Sequence, residues 1–217
     1  MNLHIPIVFV AFILTVTQAN ANLIVNGSFE DPVQPFVTSY PGFGTEITGW
    51  TVLGDGIALM RSDYFEGITF NAQLGNQSAD ISGFTNTLSN GLSQTVATAI
   101  GQEYKLSFYV GRADYWDPIL AIVDLTIDGG PRVSFVNSEL SPNQINWKLF
   151  SIAFTAKTSS TTLAFLSGIE PPAYVAQLDN VSLVATSVPE PCSFALAGLG
   201  GLSLGFCAYR RHRAPAV

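Results

Sequence analysis

Apolar and polar positions alternate with a period of two through most of the middle of the chain. Tyr104, Leu106, Phe108 and Val110 share one face while Lys105, Ser107 and Tyr109 share the other, the signature of a strand buried on one side. Ile119, Ala121, Val123, Leu125 and Ile127 repeat the pattern and run into Asp128-Gly129-Gly130, which predicts a hairpin returning through residues 132–136. Phe150, Ile152 and Phe154 alternate again, as do Leu163 and Phe165. Shorter runs predict strands near 23–25, 50–53, 57–60, 79–82, 92–98 and 175–185, with turn residues between them. No helical period lasts beyond a turn. About ten short strands in one segment predict an all-β fold, an antiparallel β-sandwich of the jelly-roll kind.

Two stretches break the alternation. Residues 5–17, IPIVFVAFILTVT, form one apolar run, followed by Ala19-Asn20-Ala21. A run of this length before a small-x-small site predicts a secretory signal peptide over 1–21, cleaved after Ala21. The leading MNLH carries no Lys or Arg, and a retained N-terminal anchor is the other reading. Residues 192–209, CSFALAGLGGLSLGFCAY, hold no charge and are long enough to cross a bilayer once as a helix. Arg210, Arg211 and Arg213 follow, a stop-transfer cluster that predicts a cytoplasmic C-terminus. The chain therefore divides into a signal peptide (1–21), an exported domain (22–187) and a C-terminal segment (188–214) containing the transmembrane helix 192–209.

Charge and reactive residues follow the same division. The 217 residues sum to −7, but 22–187 alone hold fifteen acids against six bases, a net −9. An acidic domain argues against nucleic acid, which attracts a basic surface. His4, His212, Cys192 and Cys207 all lie in the terminal segments. The middle can therefore build no Ser-His-Asp or Cys-His centre and no His/Cys zinc site. It has no disulfide either, so its core must hold itself. On a helix, Cys192 and Cys207 stand roughly 22 Å apart and do not pair.

Pro189-Glu190-Pro191, then the Gly-containing apolar stretch, then the arginine cluster, occur in that order at the chain end. This resembles the PEP-CTERM sorting signal of Gram-negative bacteria. The resemblance implies a partner, an exosortase (a membrane transpeptidase) that reads Pro189, Glu190 and Pro191. It also implies export across the inner membrane, anchoring by the C-terminal helix and then release or transfer to the cell surface or a biofilm matrix. The two prolines lock φ and keep the motif extended, the conformation a protease needs.

Landmarks within the middle carry a second resemblance. NLIVNGSFE at 22–30, Gly49-Trp50, LSQTV at 92–96, YKLSF at 104–108, Trp147 through Ala156 and LDNVSL at 178–183 occur in turn. They look like the jelly-roll carbohydrate-binding modules with a galactose-binding-domain-like fold. That resemblance implies first and last strands side by side near one structural calcium, with ligands at Glu30 and Asp179. The parity of Asp179 with Val181 and Leu183 turns its side chain inward, where a carboxylate needs a hydrogen-bond donor or an ion. Trp50 and Trp147 match core positions.

Sugar binding uses aromatic faces beside planar polar groups. Arg112, Asp114, Tyr115, Trp116 and Asp117 form the first cluster, between two strands, where binding residues concentrate. Asp63-Tyr64-Phe65-Glu66 is the second, and Tyr40 with Phe43 the third. For each aromatic the alternative is core packing. These features predict a non-catalytic protein binding extracellular polysaccharide through Tyr115, Trp116, Arg112, Asp114, Asp117 and Tyr64. A matrix protein without a pocket is the second reading. A glycosidase using carboxylate pairs such as Asp114 with Asp117 is the third.

Overall fold

The structure, a computed structural model, describes residues 21–65, 67–83, 87–113, 120–168 and 176–186. The expected signal peptide up to residue 20, the expected sorting motif at 189–191, the expected helix over 192–209 and the arginine cluster lie outside them.

Thirteen strands form among the described residues: β1 (Val37–Pro41), β2 (Thr51–Leu53), β3 (Gly56–Arg61), β4 (Tyr64–Phe65), β5 (Ile68–Thr69), β6 (Gln77–Asp80), β7 (Gly91–Ala97), β8 (Glu103–Arg112), β9 (Ala121–Ile127), β10 (Val133–Asn137), β11 (Asn146–Thr155), β12 (Ser160–Ser167) and β13 (Gln177–Ala185). Six pair antiparallel in the order β1-β3-β6-β13-β8-β11 and five in the order β10-β9-β12-β7-β2, while β4 and β5 make a separate hairpin. Two antiparallel sheets with the core between them are the sandwich that the alternation predicts.

The expected hairpin joins β9 to β10. Gly130 N–H donates to the Ile127 carbonyl at 2.9 Å, and Asp128 and Gly129 have φ of 52° and 68°. Positive φ at both central residues lets the turn match the twist of its strands. The inward rows interlock: Leu106, Phe108 and Val110 of β8 face Leu92 of β7, Val123 and Leu125 of β9, and Phe165 of β12, all buried. Phe108 meets the rings of Phe165 and Phe135 at 5.0 Å each, and Trp50 meets Phe29 at 5.2 Å. Each such ring stabilises the fold by about 1.5–3 kcal/mol through burial alone.

Residues 23–25, expected as a strand, instead lace the two sheets together. Leu23 N–H donates to the Leu183 carbonyl at 2.9 Å, and Asn22 Oδ1 accepts from Leu183 N–H at 2.9 Å. On the other side, the Gln94 amide of β7 accepts from Val25 N–H (2.8 Å) and donates to the Val25 carbonyl (2.9 Å). Val181 N–H donates to the Gly27 carbonyl at 2.8 Å.

Two further expectations need correction. Trp147 is half-buried rather than core. It pairs with Gly111 on the outer face of the six-stranded sheet, beneath a segment whose Asn71 carbonyl accepts its indole N–H at 2.8 Å. Asp179 does not share the inward parity of Leu183. The register shifts between Asp179 and Ser182, with Asn180 at φ 48°, so Leu178 and Leu183 point inward and Asp179 points outward. It is buried nonetheless, because residues 71–77 fold over it.

Strand register also gives the sandwich two distinct ends. Leu53 pairs with Gly91, Asp80 with Gln177, Arg112 with Asn146 and Ala121 with Asn137. The strands β2, β6, β8, β10 and β12 therefore all finish, and β3, β7, β9, β11 and β13 all begin, at one end of the sandwich, the five-loop end. Both described chain ends lie at the other, where Ala21, Leu23, Ala97, Thr98, Ala99, Tyr104 and Ala185 line a shallow cavity of about 310 Å³.

Candidate functional site

The connections at the five-loop end are fastened from below by polar side chains withdrawn from solvent. Asn90 is fully buried: its amide donates to the Ser82 carbonyl at 2.7 Å and accepts from Asp55 N–H and the Thr87 hydroxyl, each at 2.8 Å. Asn137, also fully buried, donates to the carbonyls of Val110 (2.9 Å) and Asn146 (3.1 Å) and accepts from Glu139 N–H (3.0 Å). Asp80 accepts from the backbone N–H (3.1 Å) and hydroxyl (2.5 Å) of Ser82. Burial pushes the Asp80 carboxyl up to about 7, against the lowering effect of the Ser82 hydrogen bonds. A buried polar group must be satisfied, and each of these is satisfied by fixing a loop. Sequence reading missed Asn90, Asn137 and Asp80, whose partners are set by tertiary contacts.

Arg112 belongs to this anchoring layer. It is the last residue of β8, only 3% exposed, and its guanidinium donates to the Ser138 carbonyl at 2.6 Å. The structure thus places it under the loops rather than on one. Asp114, Tyr115, Trp116 and Asp117, which connect β8 to β9, lie outside the described residues. Tyr64 sits in the β4–β5 hairpin, its backbone opposite Thr69.

The third aromatic cluster separates. Tyr40 is buried, its hydroxyl taking a hydrogen bond from the Gln34 amide at 2.5 Å. Phe43 is 83% exposed and has φ of 64°. Its N–H donates to the Val52 carbonyl at 2.8 Å, and a Cβ on neighbouring Gly42 would collide with the Gly54 carbonyl. Phe43 therefore stands beside the 54–55 connection, at the five-loop end. A large ring left in water on a left-handed backbone is an unusual pairing of costs, of the kind found at binding sites.

Glu30 and Asp179 meet around one segment on the outer face of the six-stranded sheet. Glu30 Oε1 accepts from the N–H groups of Asn76 (2.8 Å) and Gln77 (2.9 Å). Asp179 Oδ2 accepts from Gln73 (2.8 Å) and Leu74 (3.0 Å), and Oδ1 accepts from Asn180 N–H (2.6 Å). Burial pushes the Asp179 carboxyl up to about 7; the backbone N–H groups oppose this and the Glu30 charge adds to it. Gly75, at φ 80°, is required here, since a Cβ would lie 2.5 Å from Glu30 Oε1. Among the described residues no three His, Cys, Asp or Glu converge on a metal-sized site. Two carboxylates are of the hard donor type that a divalent cation would take, although Asp179 already accepts three N–H bonds. Glu30 Oε2, which takes no hydrogen bond among the described residues, is an open donor, and carbonyls and water would supply the rest.

The chain is similar to Halomucin of Haloquadratum walsbyi, 28% identical over 193 residues; this covers 83% of the chain but 2% of Halomucin's length. Among solved structures it is similar to the CBM22-1 xylan-binding domain of Paenibacillus barcinonensis (18% identity, TM-score 0.44, 80% of this chain and 99% of that one). It is also similar to a family 35 carbohydrate-binding module of Clostridium thermocellum (15%, TM-score 0.43, 70% and 100%). A family model described as a protein of unknown function, DUF642, matches residues 22–184, the whole sandwich with its anchored loops and its Glu30–Asp179 clasp, and the chain belongs to the DUF642 family.

Proposed function

We propose that this chain is an exported surface or biofilm-matrix protein whose jelly-roll domain binds extracellular polysaccharide without hydrolysing it. The observation that carries the reading is the exposed ring of Phe43 at an end whose loops are anchored by buried Asn90, Asn137 and Arg112. Aromatic platforms on rigid supports suit flat pyranose faces. Tyr115 and Trp116 enter the proposal by their place in the sequence, between β8, which finishes at Arg112, and β9, which begins at Ala121. Asp114, Asp117 and Tyr64 complete the proposed polar and aromatic set, with Arg112 in a positioning role.

The reading is of a binding rather than a catalytic protein. Among the described residues the two carboxyls raised toward neutrality, Asp80 and Asp179, are 6% and 0% exposed and already hold protein donors, so neither meets a substrate. Export and sorting rest on the terminal segments: cleavage after Ala21, recognition of Pro189, Glu190 and Pro191 by an exosortase-type transpeptidase, and stop-transfer at Arg210, Arg211 and Arg213. Both described chain ends leave opposite the five-loop end, so a tether at Ala185 would hold the proposed binding end away from the membrane. One structural calcium at Glu30 and Asp179 is part of the proposal, its role being to offset the charge of the buried Asp179 and its half-buried neighbour Glu30.

The test is a polysaccharide array probed with residues 22–187, with calcium or with chelator, beside Phe43→Ala and Trp116→Ala. Binding lost in either variant supports the reading and locates the surface. A folded sample that binds no polymer refutes it and favours a matrix protein without a pocket. Turnover of chromogenic glycosides that disappears in Asp117→Asn would make it a glycosidase.

A further inference from the structure

The two sheets have four edges, and three are blunted. β2 is three residues long, β1 has five and ends in Pro41, and β10 has five and follows Pro131-Arg132. Short strands, prolines and charges are what keep sheet edges from pairing with other chains. β11 is neither short nor interrupted by proline, and its single charge, Lys148, is paired with Glu139. It runs ten residues against β8 in unbroken register, contains no proline, glycine or acid, and has no partner on its other side among the described residues.

Its side chains are equally open. Leu149 is 55% exposed, and Ser151, Ala153 and Thr155 beside it are exposed. On the other face Phe150, Ile152 and Phe154 pack on the core yet remain only half-buried. The single charge, Lys148, is engaged by Glu139 at 2.9 Å. In a domain of net −9 this is a neutral strip, the one long edge that two like-charged copies can bring together without opposing carboxylates.

We infer that β11 is a self-association edge, on which a second copy of this chain pairs antiparallel through its own β11. A two-fold axis at Ser151 sets Leu149 opposite the second copy's Ala153, large against small. It sets Phe150 opposite the second copy's Ile152, covering both apolar flanks. Lys148 falls opposite the second copy's Phe154 rather than the second copy's Lys148. The joined sheet has twelve strands, and its backbone edge groups are satisfied mutually.

The core and every strand of both sheets lie within 22–187, so this segment serves for the test. Sedimentation is run from about 10 to 500 μM, the range of a weak strand-pairing contact. Mass should rise toward twice the monomer, and Ser151→Lys or Ala153→Lys should weaken the dimer at least tenfold. Ser134→Lys on the β10 edge should leave it unchanged. The segment has no native cysteine, so Ser151→Cys provides a second readout. Residues facing each other across an antiparallel pair lie within disulfide reach, and mild oxidation should give a covalent dimer in much higher yield than Ser134→Cys. A monomer at every concentration overturns the inference. So does a dimer indifferent to both lysine variants, or equal cross-linking at the two edges.

Discussion

Replacing Asp80 with Asn should remove a large share of the pH dependence of stability. The Asp80 carboxyl has an ordinary value of 3.8 in the unfolded chain and is pushed up to about 7 in the fold by desolvation, against the Ser82 hydrogen bonds. Between those values the folded protein holds a proton that the unfolded chain has released. The stabilisation is thus complete below about pH 4 and is lost as pH rises through 7. Integrating over that shift gives a loss of roughly 2–3 kcal/mol between pH 5 and pH 8 from this one group. Asn cannot ionise, and it keeps an oxygen to accept from Ser82. Urea unfolding of 22–187 and of Asp80→Asn, both in chelator so that the Glu30–Asp179 clasp is constant, should show the variant gaining on the wild type by that amount from pH 5 to pH 8. A stability difference that stays constant with pH would refute the reasoning. It would mean that Asp80 is charged throughout and stabilised by its donors.

Gly27→Ala should drive a Cβ into the Val181 carbonyl and lower stability by about 2–4 kcal/mol, read as a fall in Tm. Gln94→Leu deletes the two hydrogen bonds that hold Val25. It should cost about 2 kcal/mol and raise amide exchange at 23–27 while the exchange of β8 stays slow. Calcium should raise the Tm of the wild type and do so less in Glu30→Gln; a Tm indifferent to calcium in the wild type would show that the clasp is held by backbone N–H groups alone.

Strands with one buried face were legible because burial writes a period of two into them. β8 follows that rule from Glu103 to Val110, β9 follows it at Ala121, Val123 and Leu125, and the turn at Asp128-Gly129 stands where its residues predict. β1 was not legible: VTSYP has no alternation and is a strand because β3 lies beside it. The two-residue strands β4 and β5 exist through tertiary pairing, with each other and, at Thr69, with Gln144. Asp179 was assigned the wrong face because a bulge shifts parity without leaving a mark in composition. Trp147 was read as core from the resemblance, but it faces outward beside Gly111, where the segment at Asn71 covers it only in part. The joint use of Glu30 and Asp179 was suggested only by resemblance. Asn90 and Asn137 carried no local signal, because their work is to satisfy carbonyls and N–H groups far along the chain.

The position of β13 has a consequence for how the protein is made. The last strand in sequence is a central one in space, with β6 on one side and β8 on the other. It also holds the first residues of the domain, through Leu183 with Leu23 and Val181 with Gly27. Until residue 185 has been synthesised, the six-stranded sheet exists only as two separate halves, β1-β3-β6 and β8-β11. Such long-range closure makes folding slow and late. For a chain exported through a narrow channel from its N-terminus, as proposed above, that delay would keep the domain unfolded and transportable until nearly all of it had passed. A product cut short before β13 would lack the strand that joins the two halves, and its open sheets would be exposed to proteolysis.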